Sequence, residues 1–561
     1  MPTPPDHLVR NRYRLSAIGI LTVSALLFGV RLDDRDVVSE EMRFAEVARE
    51  MALTGDHFHP TLNGKSYYDK PLGSYWLIVA ASQLTGGVDE TAARLPAAVA
   101  GWLGILCVML LGWRLYDART ALWSGAILAT CFSFAFYARR ATADIETVTG
   151  TLAAVTLFAY CRERKSGAWV VGLWLIMGLT SLTKGLLGFA LPFAVLGAYG
   201  FWTALTEPRT ETSKASHFVA QNRWFFNRWT PWAVALGLAA FLLPFLLSGS
   251  HSGLEEGLGL VYRENVQRFF QPHNHTGPVY LYIPVLFVLA APWGLFLPAS
   301  LWPRRDATDS DRLAKSYFWA IFVVFTLSAS RRSYYLLPVL PAAALLVARM
   351  VNTPVESLRP AACRLVNAAY ALVALGVAGA GILLIPPSEI LPPPHDRLPL
   401  LPARSWFAIG WLAAIALVAW AFRHPTRRAF ATLAVAVAGL GFGLLVAYPA
   451  LGDYRTRKGF VTEVDRVIAA EPGKLALYRA RDVVFRLARP EPLPDFEDSE
   501  AFHTAAATGQ IRWVIVRRRY LPQLAKTATE VILDEVSYPW EGVDQLGDKM
   551  LLLKIVPAEC P

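Results

Sequence analysis

Apolar residues dominate the segments 15–30, 95–113, 121–137, 148–160, 168–182, 186–201, 231–247, 279–301, 317–327, 335–347, 366–384, 406–421 and 429–446. A soluble core cannot hide so many long apolar runs in one chain, whereas a bilayer accepts each that approaches about 20 residues. With 54% hydrophobic and 17% charged residues, lipid must cover much of the surface. The first run follows Arg10, Arg12 and Arg14, and no small-residue cleavage site comes after Val30, so it reads as an anchor rather than a removed signal. The expectation is a multi-pass α-helical membrane protein with about thirteen transmembrane helices, although several runs are short.

One further apolar stretch, 72–84, decides the topology. If it does not cross, the basic clusters at 10–14, 114–119, 162–165, 209–228, 304–315 and 423–428 all share one side, as the positive-inside bias requires. If it crosses, every later loop inverts. It is therefore expected to be re-entrant or interfacial. The net charge of +10 is then explained by loops facing an anionic leaflet, which removes the case for nucleic-acid binding. After Tyr454 hydropathy falls and β-type runs appear at 474–478, 511–516, 530–533 and 550–555, alternating with helical segments such as 461–470. This predicts a membrane domain over 1–450 and a small soluble α/β domain over 451–561.

Loops on the opposite side from the basic clusters carry the chemistry. In 39–55, Ser39 suits an N-cap, Glu40 and Glu41 suit the positive helix end, and Gly55 suits the stop. Met42, Ala45, Val47 and Met51 can share an apolar side while Arg43, Glu46 and Glu50 stay wet, the pattern of a helix lying on the membrane. Glu40 and Glu41 are either helix-start residues or catalytic acids. Asp69 and Lys70 precede the run 72–84, where a lysine either snorkels or binds a lipid phosphate. Asp144 and Glu146 follow Arg139 and Arg140. Lys184 ends a span, where a lone lysine is more often an anchor.

Further along, Arg263, Glu264, Arg268, His273 and His275 share one loop, and Arg331, Arg332, Tyr334 and Tyr335 cluster at another outer helix end against the charge bias. Repeated cations beside carboxylates point to an anionic ligand. The combination fits group transfer from a lipid phosphate, a carboxylate accepting the proton of the attacking hydroxyl while Lys and Arg stabilise the leaving phosphate. The sequence shows no Gly-rich nucleotide loop to accompany these residues.

The motifs E-E-M-R-F-A-E, D-K-P-L-G-S-Y-W, L-T-K-G, E-N-V-Q-R-F and R-R-S-Y-Y-L-L-P occur in an order that resembles the polyprenyl-phosphate-dependent glycosyltransferases of GT-C type. The likeness is to the lipid A aminoarabinose transferases and, more distantly, to the protein O-mannosyltransferases. It implies a bacterial inner-membrane enzyme with a periplasmic C-terminal domain, moving a sugar with inversion from undecaprenyl phosphate to lipid A or another glycolipid, glycan or protein. By this resemblance Glu40 and Asp144 are the catalytic carboxylates. Lys70, Arg268 and Tyr335 hold the lipid phosphate, with Glu41, Arg43, Asp69, Lys184 and Glu264 as secondary candidates. The chain departs from the family in having Glu rather than Asp at position 40. A divalent metal, which the resemblance allows, meets Asn265 where the family has a histidine, and Asn is a poor zinc ligand. His273 or His275 could take its place, so cofactor use is left open.

The rival from another class is a polyprenyl-lipid transporter or flippase. Such a protein should carry polar residues through its midplane and show internal repeats. Here the charges gather at one face and no repeat is found, which favours the enzyme.

Overall fold

The computed structural model describes residues 6–38, 40–164, 166–206, 218–219, 222–252, 259, 277–303, 307–354, 357–390, 404–452, 456–538, 541 and 543–556. The helical part begins with α1 (Asp6–Gly29), α2 (Glu40–Thr54), α3 (Gly73–Thr85), α4 (Glu90–Leu115), α5 (Ala118–Thr130), α6 (Phe132–Tyr137), α7 (Asp144–Cys161), α8 (Trp169–Lys184) and α9 (Leu187–Thr206). Helices Thr230–Ser252, Asp309–Leu327, Leu340–Val351, Pro360–Gly379, Arg404–Arg423 and Arg428–Phe442 complete the main set.

Seven described helices are each long and apolar enough to cross a membrane, and the pair Val279–Leu289 and Trp293–Leu301, bent by 114°, makes an eighth if it is one span. The thirteen expected runs include five more that this criterion passes over, each for a visible reason. The run at 121–137 breaks at Cys131, whose extended backbone separates α5 from α6. Helix α8 has 16 residues, and α7 opens on Asp144 and Glu146. In α1 and Asp309–Leu327 the apolar part follows a charged first stretch. The multi-pass helical architecture therefore stands without depending on that number.

Helix α3 has 13 residues, about 20 Å of length, which falls short of a hydrocarbon core about 30 Å thick. Its start is seated on the end of α8: Ser74 donates to the Thr183 carbonyl at 3.2 Å. A Cβ at Gly73 would lie 2.7 Å from the Leu182 carbonyl, so this approach needs glycine. The bundle is held by equally close crossings, as at α8 and Thr230–Ser252, where Gly178 and Gly237 face each other's backbone.

The two ends of the bundle differ in charge. At one end Arg114 pairs with Glu163 at 2.9 Å and Arg162 with Asp309 at 2.6 Å, while Tyr116 donates to Asp311, so three of the expected basic loops meet there. Glu40, Lys70, Asp144, Lys184 and Arg332 belong to the other end.

The chain closes with a five-stranded mixed sheet of order β4-β3-β5-β7-β6, built from β3 (Leu475–Tyr478), β4 (Asp495–Phe496), β5 (Trp513–Arg517), β6 (Thr529–Asp534) and β7 (Met550–Ile555). Strands β4, β3 and β5 are parallel, while β7 runs antiparallel to β5 and β6. Alternation along β3 sends Leu475 and Leu477 toward helix Lys458–Ala470, and Ala476 and Tyr478 toward helix Ser499–Ala507. The four expected strands are present. The two-residue β4 was too short for its periodicity to be read.

This sheet domain rests on the first outer loop. Asn63, in the hairpin of β1 (Thr61–Leu62) and β2 (Lys65–Ser66), donates to and accepts from the Leu493 backbone at 2.9 and 2.8 Å. Arg486 bridges Asp36 and Glu90, and Thr456 donates to Asp36 at 2.7 Å. Helix α2 lies within this assembly rather than flat on a membrane. Glu46 and Glu50, expected to be wet, are buried. Arg49 pairs with Glu46 at 2.7 Å, and Glu50 accepts the Asn63 and Gly64 backbone N–H groups of the hairpin, the polar partners that burial demands. The correction follows from the hairpin covering a helix face that hydrophobicity alone left open.

Candidate active site

Two neighbouring acids at the start of α2 go to different places. Glu41 is fully buried and receives Arg94 at 3.0 Å, Arg35 at 3.1 Å and the Ala141 backbone N–H at 3.2 Å. Arg94 also donates to the Leu32, Arg35 and Asp36 carbonyls, so it ties α4 to the chain entering α2. Burial alone would raise the Glu41 pKa, but Arg94 and Arg35 outweigh it and hold the carboxyl at about 2. Its place is in the scaffold, among Arg94, Arg35 and the Ala141 backbone.

Glu40 is only half-buried and pairs with Arg332 at 3.0 Å. Burial pushes its pKa up, yet Arg332, then Lys70 and Arg43, draw it below the ordinary carboxylate value, so Glu40 is ionised at neutral pH. Arg43 donates to the Tyr67 hydroxyl at 3.1 Å. Burial, partly offset by Arg43 and reinforced by Asp69, pushes the Tyr67 hydroxyl up to about 12. Next to these residues the Ser248 hydroxyl meets that of Tyr68 at 3.2 Å, bringing helix Thr230–Ser252 to the same rim.

The second carboxylate, Asp144, opens α7 directly after Ala143, whose φ of 59° is a left-handed conformation that a residue with a Cβ rarely adopts. The turn before it is anchored by Arg139, which donates to the Leu27 and Val30 carbonyls at 2.8 Å and so ends α1. Asp144 is almost wholly buried and forms an ion pair with Lys184. Lys184, expected to be an anchor, is thus the cation of this acid. Helix α8 stops at it because Gly185, at φ 74°, returns its N–H to the Ser181 carbonyl.

Tyr334 and Tyr335 join the two halves. The Lys184 ammonium lies 5.4 Å from the Tyr334 ring and 5.5 Å from the Tyr335 ring, and Arg332 donates to the Tyr334 hydroxyl at 2.5 Å. The result is one row, Glu40, Arg332, Tyr334, Lys184, Asp144, with a carboxylate at each end and its paired cation on the inner side. Arg332 was visible in the sequence as an arginine against the charge bias, but nothing there separated it from Arg331. The structure does: Arg331 is spent on the Gly277 and Thr326 carbonyls, at 2.7 and 3.1 Å. Neither Arg94 nor Arg139 shows its partner in the sequence, since Glu41 lies 53 positions from Arg94 and Leu27 lies 112 from Arg139.

Of the expected site residues, Glu40, Lys70, Asp144, Lys184 and Tyr335 gather at this end, with Arg43 and Asp69 beside them. Arg268, Glu264, Asn265, His273 and His275 lie outside the described residues. Among the described residues no three His, Cys, Asp or Glu side chains converge on a metal position. Asp69 has the Tyr67 hydroxyl and the Arg43 guanidinium as neighbours, a cation that opposes a dication there. The described donors do not fit a metal, and no step below uses one.

Chemically, the row presents two carboxylates, each held by a cation, with Tyr334 between the cations and Lys70 and Tyr335 beside it. It suits a substrate with a negatively charged leaving group and a polar acceptor.

Residues 33–249 match the family described as dolichyl-phosphate-mannose-protein mannosyltransferase. The undecaprenyl phosphate-alpha-4-amino-4-deoxy-L-arabinose arabinosyl transferase of Pseudomonas aeruginosa (strain LESB58) is 27% identical over 423 residues, covering 73% of this chain and 71% of the relative. Transferase 1 of the same description from Pseudomonas fluorescens is 29% identical over 423 residues, covering 72% of each. The crystal structure of ArnT from Cupriavidus metallidurans bound to undecaprenyl phosphate matches with a TM-score of 0.70 at 23% identity, over 96% of this chain and 97% of that one. Its apo form gives 0.71 at 22%. Those two structures share the fold described above.

Proposed function

From the premise that this chain is an aminoarabinose-transferase-like protein with the fold of the GT-C membrane glycosyltransferases, we infer that it transfers a sugar from an undecaprenyl-phosphate donor. The acceptor is lipid A or another molecule at the same membrane face, and the sugar is aminoarabinose or a related pentose or hexose. The observation that carries this reading is the row from Glu40 to Asp144, two carboxylate–cation pairs joined through Tyr334, at the bundle end opposite the basic loops.

In this reading the acceptor oxygen bonds to the anomeric carbon as the carbon–oxygen bond to the lipid phosphate breaks with inversion. The phosphate leaves with the bonding pair. Lys70, Arg268 and Tyr335 hold it, their donors strengthening as charge develops on the oxygen. Glu40 and Asp144 orient the acceptor and stabilise the positive character at the anomeric carbon. A hydroxyl acceptor gives its proton to one of them, whereas a phosphate acceptor needs no base. A protein hydroxyl is the second reading, favoured by the mannosyltransferase match over 33–249. The positive-inside bias of the basic loops supports an amino terminus in the cytoplasm, with the site and a soluble domain beginning near residue 451 on the periplasmic face.

Mass spectrometry of lipid A, surface glycans and envelope proteins from cells with and without this chain tests the proposal. Lipid A carrying the extra sugar only in cells with the chain is expected, and Lys70→Ala should reduce it at least tenfold, from the roughly 1.5–3 kcal/mol of a charge-assisted contact. Unchanged lipid A beside a newly glycosylated protein would select the second reading. No difference in any glycan would sink both.

A further inference from the structure

A cavity of about 1100 Å³ lies between α1, α5 and helices Leu340–Val351, Pro360–Gly379 and Arg428–Phe442. It is at the basic-loop end, and none of the residues assigned above to sugar transfer lines it. Its volume exceeds the few hundred to about 1,000 Å³ of an ordinary small-molecule pocket.

The lining is ordered by polarity. Arg119 is exposed and Arg428 half-buried, while Ile20, Trp123, Ala126 and Leu433 give the cavity apolar walls and Ala126 is buried. Tyr13 and Ile20 on α1, like Arg119 and Ala126 about α5, are seven positions apart, so the slot runs about 10 Å inward from the arginines. None of the described lining residues is an Asp or Glu. Arg119 makes one long bond, 3.4 Å to the Tyr13 hydroxyl. Arg428 donates to Asn367 at 3.0 Å and to the Phe422 carbonyl at 3.3 Å. Its guanidinium also lies 5.9 Å from the ring of Tyr370, another lining residue, and no carboxylate pairs with it among the described residues.

An apolar slot under two arginines matches one molecule of the surrounding bilayer: a phosphate head with an acyl chain. We propose that this cavity binds an anionic glycerophospholipid of the leaflet facing the basic loops, its phosphate between Arg119 and Arg428 and one acyl chain along α1 and α5. This site is separate from the polyprenyl-phosphate site.

The full chain, purified and equilibrated with mixed micelles of equal phosphatidylglycerol and phosphatidylcholine, is examined by native mass spectrometry. Wild type is expected to retain phosphatidylglycerol at least tenfold over phosphatidylcholine. Arg119→Gln should lower that preference about fivefold, and the double variant with Arg428→Gln should retain the two lipids about equally. Sugar transfer by Arg119→Gln should be unchanged. Ala126→Phe, which narrows the slot and leaves both arginines, should reduce retention of both lipids. Should loss of the Arg428 bonds unfold the double variant, Arg119→Gln decides alone, since it gives up only the long Tyr13 bond. Equal retention of the two lipids by wild type, or wild-type preference in Arg119→Gln, would overturn the proposal.

Discussion

Glu40 and Glu41 differ by one position and about 100° around α2, and that rotation sends one carboxylate to the charged row and the other between Arg35 and Arg94. Their glutamine variants should fail differently. Glu40→Gln should fold and insert, yet lose transfer by about a hundredfold or more, read in an assay with saturating lipid donor. Glu41→Gln should instead lose folded protein, because two buried guanidinium groups are left without their counter-charge at roughly 3–5 kcal/mol. Normal yield and thermal stability for Glu41→Gln would refute its scaffold role. The same group sets an acid limit. Its folded pKa, about 2, lies below the unfolded value, so its stabilisation is complete above about pH 4.5 and is lost as pH falls toward 2. Unfolding midpoints between pH 5 and 3 should fall steeply in wild type and more gently in Glu41→Gln. Lys184→Ala should cost transfer about tenfold or more, rather than the small loss of a snorkelling anchor, because it leaves buried Asp144 without its ammonium. Lys184→Arg should restore part of it.

At the scale of elements, the hairpin β1–β2 is the joint between the sheet domain and the helix that carries Glu40. Its tip needs Gly64: φ is 71°, and a Cβ there would lie 2.5 Å from the Pro492 side chain. Gly64→Ala is therefore expected to loosen the docking, through backbone strain and lost packing of about 1–3 kcal/mol. Hydrogen exchange should quicken in the β3–β4 edge and the hairpin while the bundle helices keep their protection. Unaltered exchange in both would show that Arg486 and Thr456 hold the domain without the hairpin. The elements also show where a local pattern misleads. Residues 39–55 have the periodicity of a surface helix, and Glu46 and Glu50 are polar, but the hairpin returns from later in the chain to satisfy Glu50 and enclose both. For α3 the local reading sufficed, since a helix of 13 residues cannot span whatever packs against it.

For the whole molecule, the sheet domain touches the loop that leads into α2, so it shares a side with Glu40, Lys70 and Asp144, while the ion pairs of the basic loops lie at the other end. A periplasm-active reporter fused after Val556 is expected to work, and one fused in the loop at 114–119 to fail. The reverse outcome would invert the proposed orientation and, with it, the access of a periplasmic acceptor. Hydropathy, charge alternation and period-two patterning are local, and they were enough for the apolar runs, the one-sided basic loops, the interfacial length of 72–84 and four of the five sheet strands. The motifs also picked out Glu40, Lys70, Asp144 and Tyr335, which gather at one end of the bundle. What no local pattern contains is a partner. Glu40 meets Arg332 across 292 positions and Asp144 meets Lys184 across 40, the latter pair helped by Gly150 of α7, whose place against Thr180 of α8 leaves no room for a Cβ. Which of two adjacent glutamates joins the charged row, which of two adjacent arginines pairs with it, and whether a terminal lysine is an anchor or a counter-ion were decided by that packing, because electrostatic pairing depends on distance in space and not along the chain.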